Sequence, residues 1–238
     1  MTFIVGFNCR DGIVLCADQS ETDGVTKRYR RKVEGVMEIG AWAVSWAGAG
    51  DAHVIDNFSD KLKRTLGSLH TYSRADIESA VEGSLTLVHQ EHPAPEQAIQ
   101  VVMGLWSKGT VTPKIIRPAE RLLYRGRSDN ACIAREADYC LGGMDVTLAE
   151  FILRNTVRGR RITVDEAVRL GVFVTALMKE YADGVGGDTN VIVFREGKAG
   201  WEDLTQCEVA AIEAELSIVG IAKQVADYCS VKQSTFQK

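Results

Sequence analysis

The first eighteen residues, MTFIVGFNCRDGIVLCAD, leave the rest of the chain little freedom. Phe3, Val5, Phe7 and Cys9 alternate with Ile4, Gly6 and Asn8, and this two-residue period belongs to a strand with two distinct faces. Chain ends normally fray, so a strand pattern beginning this close to the terminus predicts an end held inside a sheet. Arg10, Asp11 and Gly12 read as a tight turn, and the apolar run IVLCA that follows reads as a buried strand returning antiparallel. A turn centred there sets Asp18 opposite Phe3, beside Thr2.

The same reasoning applies to a second hairpin. KVEGVME and AWAVSWAG flank a turn near Ile39 and Gly40, which sets Lys32 opposite Trp46, two residues from Gly48. Taken singly, a threonine at position 2, an aspartate after a strand, a basic residue in a loop and a glycine before a helix are all commonplace. Their convergence from two hairpins is not. A hydroxyl needs a base to become a nucleophile, and an α-amine with a pKa of about 7.7–8.0 is partly neutral near pH 7. A terminal Thr2 would carry both groups. The ammonium of Lys32 would push the amine pKa down, Asp18 would hold that lysine, and the Gly48 amide would face a developing oxyanion. While Met1 stays attached, the Thr2 nitrogen is an amide and cannot act as a base. Thr2 is small enough for ordinary methionine trimming to expose it, without a long propeptide.

These residues, with the lysine of RRKV, the glycine loop WAGAGDA and the late segment DGVGGDTNVIVF, make the chain resemble a proteasome β-type subunit or its bacterial HslV-type relatives. The similarity in element order covers residues 2–195. It implies Thr2 as nucleophile, Asp18 and Lys32 as its charge partners, Gly48 as oxyanion donor and Asp183 as an orienting acid near the terminus. It also implies that Glu21, Glu34 and Trp46 meet the substrate side chain. Two positions depart from the family pattern: Gly143 in LGGMD and Gly186 in GVGGD stand where serines are usual. The expected activity is threonine-type endopeptidase, on peptide or unfolded-protein substrates, within a homo-oligomeric ring and with an ATPase unfoldase as a potential partner. The alternatives are a non-catalytic ring subunit, and an N-terminal-nucleophile (Ntn) amidohydrolase acting on a small amide.

Further along, residues 51–66 carry Val54, Ile55, Phe58 and Leu62 at helical spacing. Ser73 with Asp76 and Thr163 with Glu166 form capping-box patterns that open helices reaching about 91 and 181, with another helix at 144–157. Strand-like runs AIQVVMGLW, PKIIRP, RLLYRG, ACIA and ADYCLGG suggest a second sheet, DTNVIVFR a last strand, and Thr205 with Glu208 a final helix to about 228. Runs of strands alternating with paired helices argue for an α+β fold, a four-layer αββα sandwich of two antiparallel sheets, and against βαβ units. The expected organisation is one domain over 1–204, with a helix and tail over 205–238 packed on it or on a neighbour.

With 28 basic and 32 acidic residues, and its basic run KRYRRK confined to one loop read as solvated apart from Lys32, the chain is not expected to bind nucleic acid. Six cysteines without CxxC spacing read as reduced residues of a cytoplasmic protein. No signal peptide or run of 18 apolar residues suggests a membrane. His89 and His92 form an HxxH without a third ligand nearby, so neither a metal nor any other cofactor is expected.

Overall fold

The computed structural model describes residues 2–23, 26–107, 110–112, 115–117, 119–143, 145–196 and 200–216. The chain runs through β1 (Phe3–Cys9), β2 (Gly12–Asp18), β3 (Ser20–Asp23), β4 (Thr26–Tyr29), β5 (Met37–Ile39) and β6 (Trp42–Ala49) into helices α1 (Ala52–Gly67) and α2 (Arg74–Glu91). Strands β7 (Gln100–Ser107), β8 (Thr110–Thr112), β9 (Ile115–Arg117), β10 (Glu120–Arg127), β11 (Cys132–Glu136) and β12 (Tyr139–Gly143) follow. The last elements are α3 (Thr147–Thr156), α4 (Val164–Tyr181), β13 (Thr189–Arg195), β14 (Trp201–Asp203) and α5 (Gln206–Leu216). The expected helix to about 228 is described as far as Leu216; the remainder lies outside the described residues.

Two five-stranded antiparallel sheets stack face to face, in the orders β12-β1-β2-β13-β14 and β11-β10-β7-β6-β5. Ile4, Leu15, Ala47, Val102, Leu123 and Phe194 fill the layer between them. Phe3, Val5, Cys16 and Val191 on the other face of the first sheet pack under α3 and α4. Val44, Trp46, Val101 and Met103 pack under α1 and α2. This is the four-layer αββα sandwich. Both predicted capping boxes form, Ser73 with Asp76 and Thr163 with Glu166, each satisfying backbone donors that a helix start leaves unpaired.

The first hairpin has the predicted register: Ile4 faces Ala17 and Val5 faces Cys16, so Phe3 is level with Asp18. The second differs. Gly40 takes φ +60°, a conformation that glycine adopts without strain, and the turn falls on Gly40 and Ala41, so Ile39 faces Trp42 and Met37 faces Val44. Val33 bridges Ala47, which implies one extra residue between Val33 and Met37, a bulge. Lys32 is therefore level with Gly48, not Trp46, and the shift brings it closer to the glycine of the expected site. A further correction concerns ADYCLGG: its residues Tyr139–Gly143 form β12 and join β1 in the first sheet, while Ile115–Arg117 of PKIIRP pair with β8 in a separate two-stranded ladder.

Candidate active site

Asp18 is the centre of the cluster. Its carboxylate is fully buried and accepts four hydrogen bonds: from Phe3 N–H at 2.9 Å, Ser20 N–H at 3.0 Å, Gly186 N–H at 3.0 Å and Lys32 Nζ at 2.8 Å. A buried charge costs several kcal/mol unless paired and hydrogen-bonded, and this one is both. The bond from Phe3 fixes the start of β1, so Thr2, 8% exposed, is held immediately beside it.

Lys32 is held as tightly. Its backbone N–H donates to Asn190 Oδ1 at 3.3 Å and its ammonium donates to Asp18 and to the Ser20 carbonyl. Burial lowers the Lys32 pKa below the usual lysine range, while the charge of Asp18 and its hydrogen bond oppose that shift.

Thr2, Lys32, Gly48 and Gly50 line one recess of about 20 Å³, enough for one water-sized group, with Glu21, Arg30 and Glu34 on its walls and Ala52 and Ile55 beneath. Beside it, sharing Thr2, Glu21, Arg30, Gly50 and Ala52, is a cleft of about 540 Å³, within the range of small-ligand sites. The structure thus brings together Thr2, Asp18, Lys32, Gly48, Glu21 and Glu34.

It does not bring in Trp46 or Asp183. Trp46 is fully buried and donates its indole N–H to Ser59 Oγ at 3.0 Å. On β6 it shares a face with Trp42 and Val44, which pack against the helices, so the two-residue period turns it away from substrate. Asp183 lies exposed in the turn after α4 and lines neither cavity. The late glycine segment serves the site through Gly186 N–H and the Asn190 side chain instead.

The basic run KRYRRK also needs correcting. Arg30 makes a two-pronged contact with Asp56, at 2.9 and 2.5 Å, lies 3.3 Å from Glu21, and forms part of the recess wall. Arg31 pairs with Asp203 and caps the Val33 carbonyl. Alternation within a short basic run carries no signal for these pairings, because their partners come from α1 and β14.

Gly143 explains one departure from the family pattern. It has φ +117°, and a Cβ there would lie 1.9 Å from the Thr2 carbonyl oxygen. Serine cannot occupy this position in this backbone. Gly143→Ser is expected to destabilise the fold by at least about 1–3 kcal/mol from the dihedral strain alone, and to lower rather than raise any activity of Thr2. Thermal denaturation read beside an activity assay checks both parts.

No family model matches the sequence, and no curated protein matches it. Solved structures do. The chain is similar to Anbu, an ancestral β-subunit, from Yersinia bercovieri, with a TM-score of 0.74 at 12% identity over 96% of this chain and 97% of that one. It is similar to a mutant Anbu from Hyphomicrobium sp. strain MC1, with a TM-score of 0.73 at 12% identity over 100% and 97%. The helical assembly of the Anbu complex from Pseudomonas aeruginosa gives 0.72 at 14% identity over 94% and 96%. These likenesses establish the fold, a proteasome-like αββα sandwich. They also correct the sequence resemblance: these similar structures are Anbu proteins, and no sequence match supports assignment to the HslV-type branch. The motifs behind that assignment are largely those that position Asp18, Lys32 and the glycine turns, so they mark the fold and not the branch.

Proposed function

We propose that the protein is an N-terminal-nucleophile hydrolase that cleaves amide bonds in peptides with the hydroxyl of Thr2, once Met1 has been removed. The observation that carries this reading is the convergence of Thr2, Lys32 and Gly48 on one recess, with Asp18 bonded both to Lys32 and to the start of the strand that bears Thr2. In the reaction, Thr2 Oγ1 attacks the scissile carbonyl carbon and its proton passes to the α-amine of the same residue. The Gly48 amide stabilises the oxyanion. Collapse of the tetrahedral intermediate breaks the C–N bond as the α-ammonium protonates the leaving amine, and an ester on Thr2 remains. Water, activated by the regenerated amine, then hydrolyses that ester and restores the hydroxyl.

Lys32 keeps the α-amine deprotonated by like-charge repulsion, and Asp18 positions Lys32 without touching substrate. Glu21, Arg30 and Glu34 form the walls that meet the substrate. The recess admits a group little larger than a methyl, so a small residue precedes the scissile bond and the wider cleft takes the rest of the peptide. Self-association belongs to the same reading: the Anbu of Pseudomonas aeruginosa forms a helical assembly, and copies of this chain would likewise restrict access to Thr2.

The test is covalent capture. A peptide epoxyketone requires both a hydroxyl and a free amine on one residue, so incubation followed by mass spectrometry is expected to place the adduct on a Thr2 that has lost Met1. An adduct at another residue, or turnover of peptides by protein that retains Met1, would defeat the mechanism.

A further inference from the structure

A second cleft, of about 550 Å³, follows an edge of the first sheet that pairs with no further strand among the described residues. Strand β12 is the end strand there, with β1 as its neighbour in the sheet. The ladder pairs Gly143 with Phe3, Leu141 with Val5 and Tyr139 with Phe7, and one step earlier Asn8 N–H donates to the Asp138 carbonyl at 2.8 Å. Bonded and non-bonded pairs alternate along an antiparallel ladder. With Asp138 in the bonded class, Cys140 and Gly142 also turn their backbone groups toward β1, while Tyr139, Leu141 and Gly143 turn theirs outward. Gly143 already uses that direction, donating its N–H to Gln100 Oε1 at 3.2 Å. The outward groups of Tyr139 and Leu141 face the cleft.

The walls of this cleft are basic on both sides. Arg125 and Arg127 project from β10, and Arg154 and Arg158 come from the last turn of α3 and just beyond it. The first three have side chains 51%, 50% and 60% exposed. The carboxylates of the cleft are engaged: Glu136 pairs with Arg125 at 3.2 Å, Glu150 with Arg154 at 3.4 Å and with the Tyr139 hydroxyl, and Asp138 accepts from Gly159 N–H. Arg127 holds Asp129, while Arg158 has no carboxylate partner among the described residues. The lining carries four arginines against the three carboxylates Glu136, Asp138 and Glu150, a net excess of one positive charge, and each guanidinium offers five donors, so the paired arginines keep donors to spare.

We propose that this groove is a docking site for an extended, acidic peptide segment. The segment adds to β12 as a further strand through the outward backbone groups of Tyr139 and Leu141, and its carboxylates pair with the arginines on either wall. β12 spans about 17 Å, so some five residues of the segment are engaged. A second copy of the same edge is disfavoured as occupant, because pairing β12 with β12 brings two sets of arginines face to face.

The probe is a blocked seven-residue peptide of sequence EEVEEVE, which presents glutamates on both faces of an added strand, carrying a fluorophore, titrated with the intact protein and read by anisotropy. Saturable binding is expected, weakening as salt is raised. Exchange of glutamate for lysine is expected to weaken it by roughly tenfold or more, as is the double change Arg125→Glu and Arg154→Glu. N-methylation of alternate amides separates strand addition from simple charge attraction without altering the protein: methylation in one phase abolishes binding and in the other phase leaves it. The proposal is overturned by equal effects of the two phases, by equal binding of the lysine peptide, or by no saturable binding up to about 1 mM. It is also overturned if sedimentation finds a self-associated species that the double charge reversal dissociates, since the occupant is then a second copy. None of these outcomes bears on the Thr2 reading.

Discussion

Thr2→Ala is expected to lower peptide hydrolysis by at least about 10⁴-fold, because removal of a covalent nucleophile leaves only binding and oxyanion contacts to act on the substrate. Thr2→Ser keeps both the hydroxyl and the amine and is expected to retain measurable activity. The fold has little at stake in this change: the lost group is one hydroxyl and one methyl, outside the three hydrophobic clusters. A shift of no more than about 1 kcal/mol, a few degrees in melting temperature for a chain of this size, is therefore expected. Initial rates on a panel of fluorogenic peptides with small residues before the scissile bond check the first part, and circular dichroism melting checks the second. Parental rates from Thr2→Ala would sink the nucleophile assignment.

The second large effect is on stability. Asp18→Asn puts a neutral amide where a buried carboxylate receives three backbone N–H groups and the Lys32 ammonium. Removing one partner of a buried ion pair costs about 3–5 kcal/mol, because the remaining charge is left without compensation. At about 2–4 °C per kcal/mol, the melting temperature is expected to fall by about 6–20 °C. Catalysis is expected to fall with it, since Lys32 loses its tether. Asp183→Asn is the control: an exposed turn residue that lines neither cavity is expected to stay within about 0.5 kcal/mol of the parent. A large loss at Asp183 with little change at Asp18 would reverse the roles assigned to the two acids.

Much of this could be read from the sequence, and the misses share a cause. The first hairpin was legible because alternation on both sides of Arg10, Asp11 and Gly12 permits one register, and that register sets Phe3 level with Asp18. The second hairpin was misregistered because alternation fixes which face a residue takes but not where the turn falls. Gly40 with its positive φ moved the turn, and a bulge before Met37 shifted the far end again. The family resemblance implies Trp46 as a substrate contact, whereas its parity with Val44 on β6 points it toward the helices. Arg30 and Asn190 act through tertiary partners that the sequence does not reveal, and Gly186, legible only as a glycine where a serine is usual, acts through a backbone group that no side-chain pattern reveals. The arginine-lined edge beside β12 was likewise invisible, since its residues come from β10, β12 and α3.

The four donors to Asp18 arrive at different times as the chain is made. Phe3 and Lys32 lie 15 and 14 residues from it and Ser20 only 2, whereas Gly186 lies 168 residues away. A ribosome-bound chain that has emerged only as far as α4 can form the first hairpin, yet the aspartate still lacks the amide that completes its shell. Asn190, which holds the Lys32 backbone, is later still. The arrangement orders assembly in time: the shell of donors around the aspartate, and the hold on the Lys32 backbone, close only after most of the chain has been translated. A truncated product that ends before Gly186 would leave the buried carboxylate one donor short.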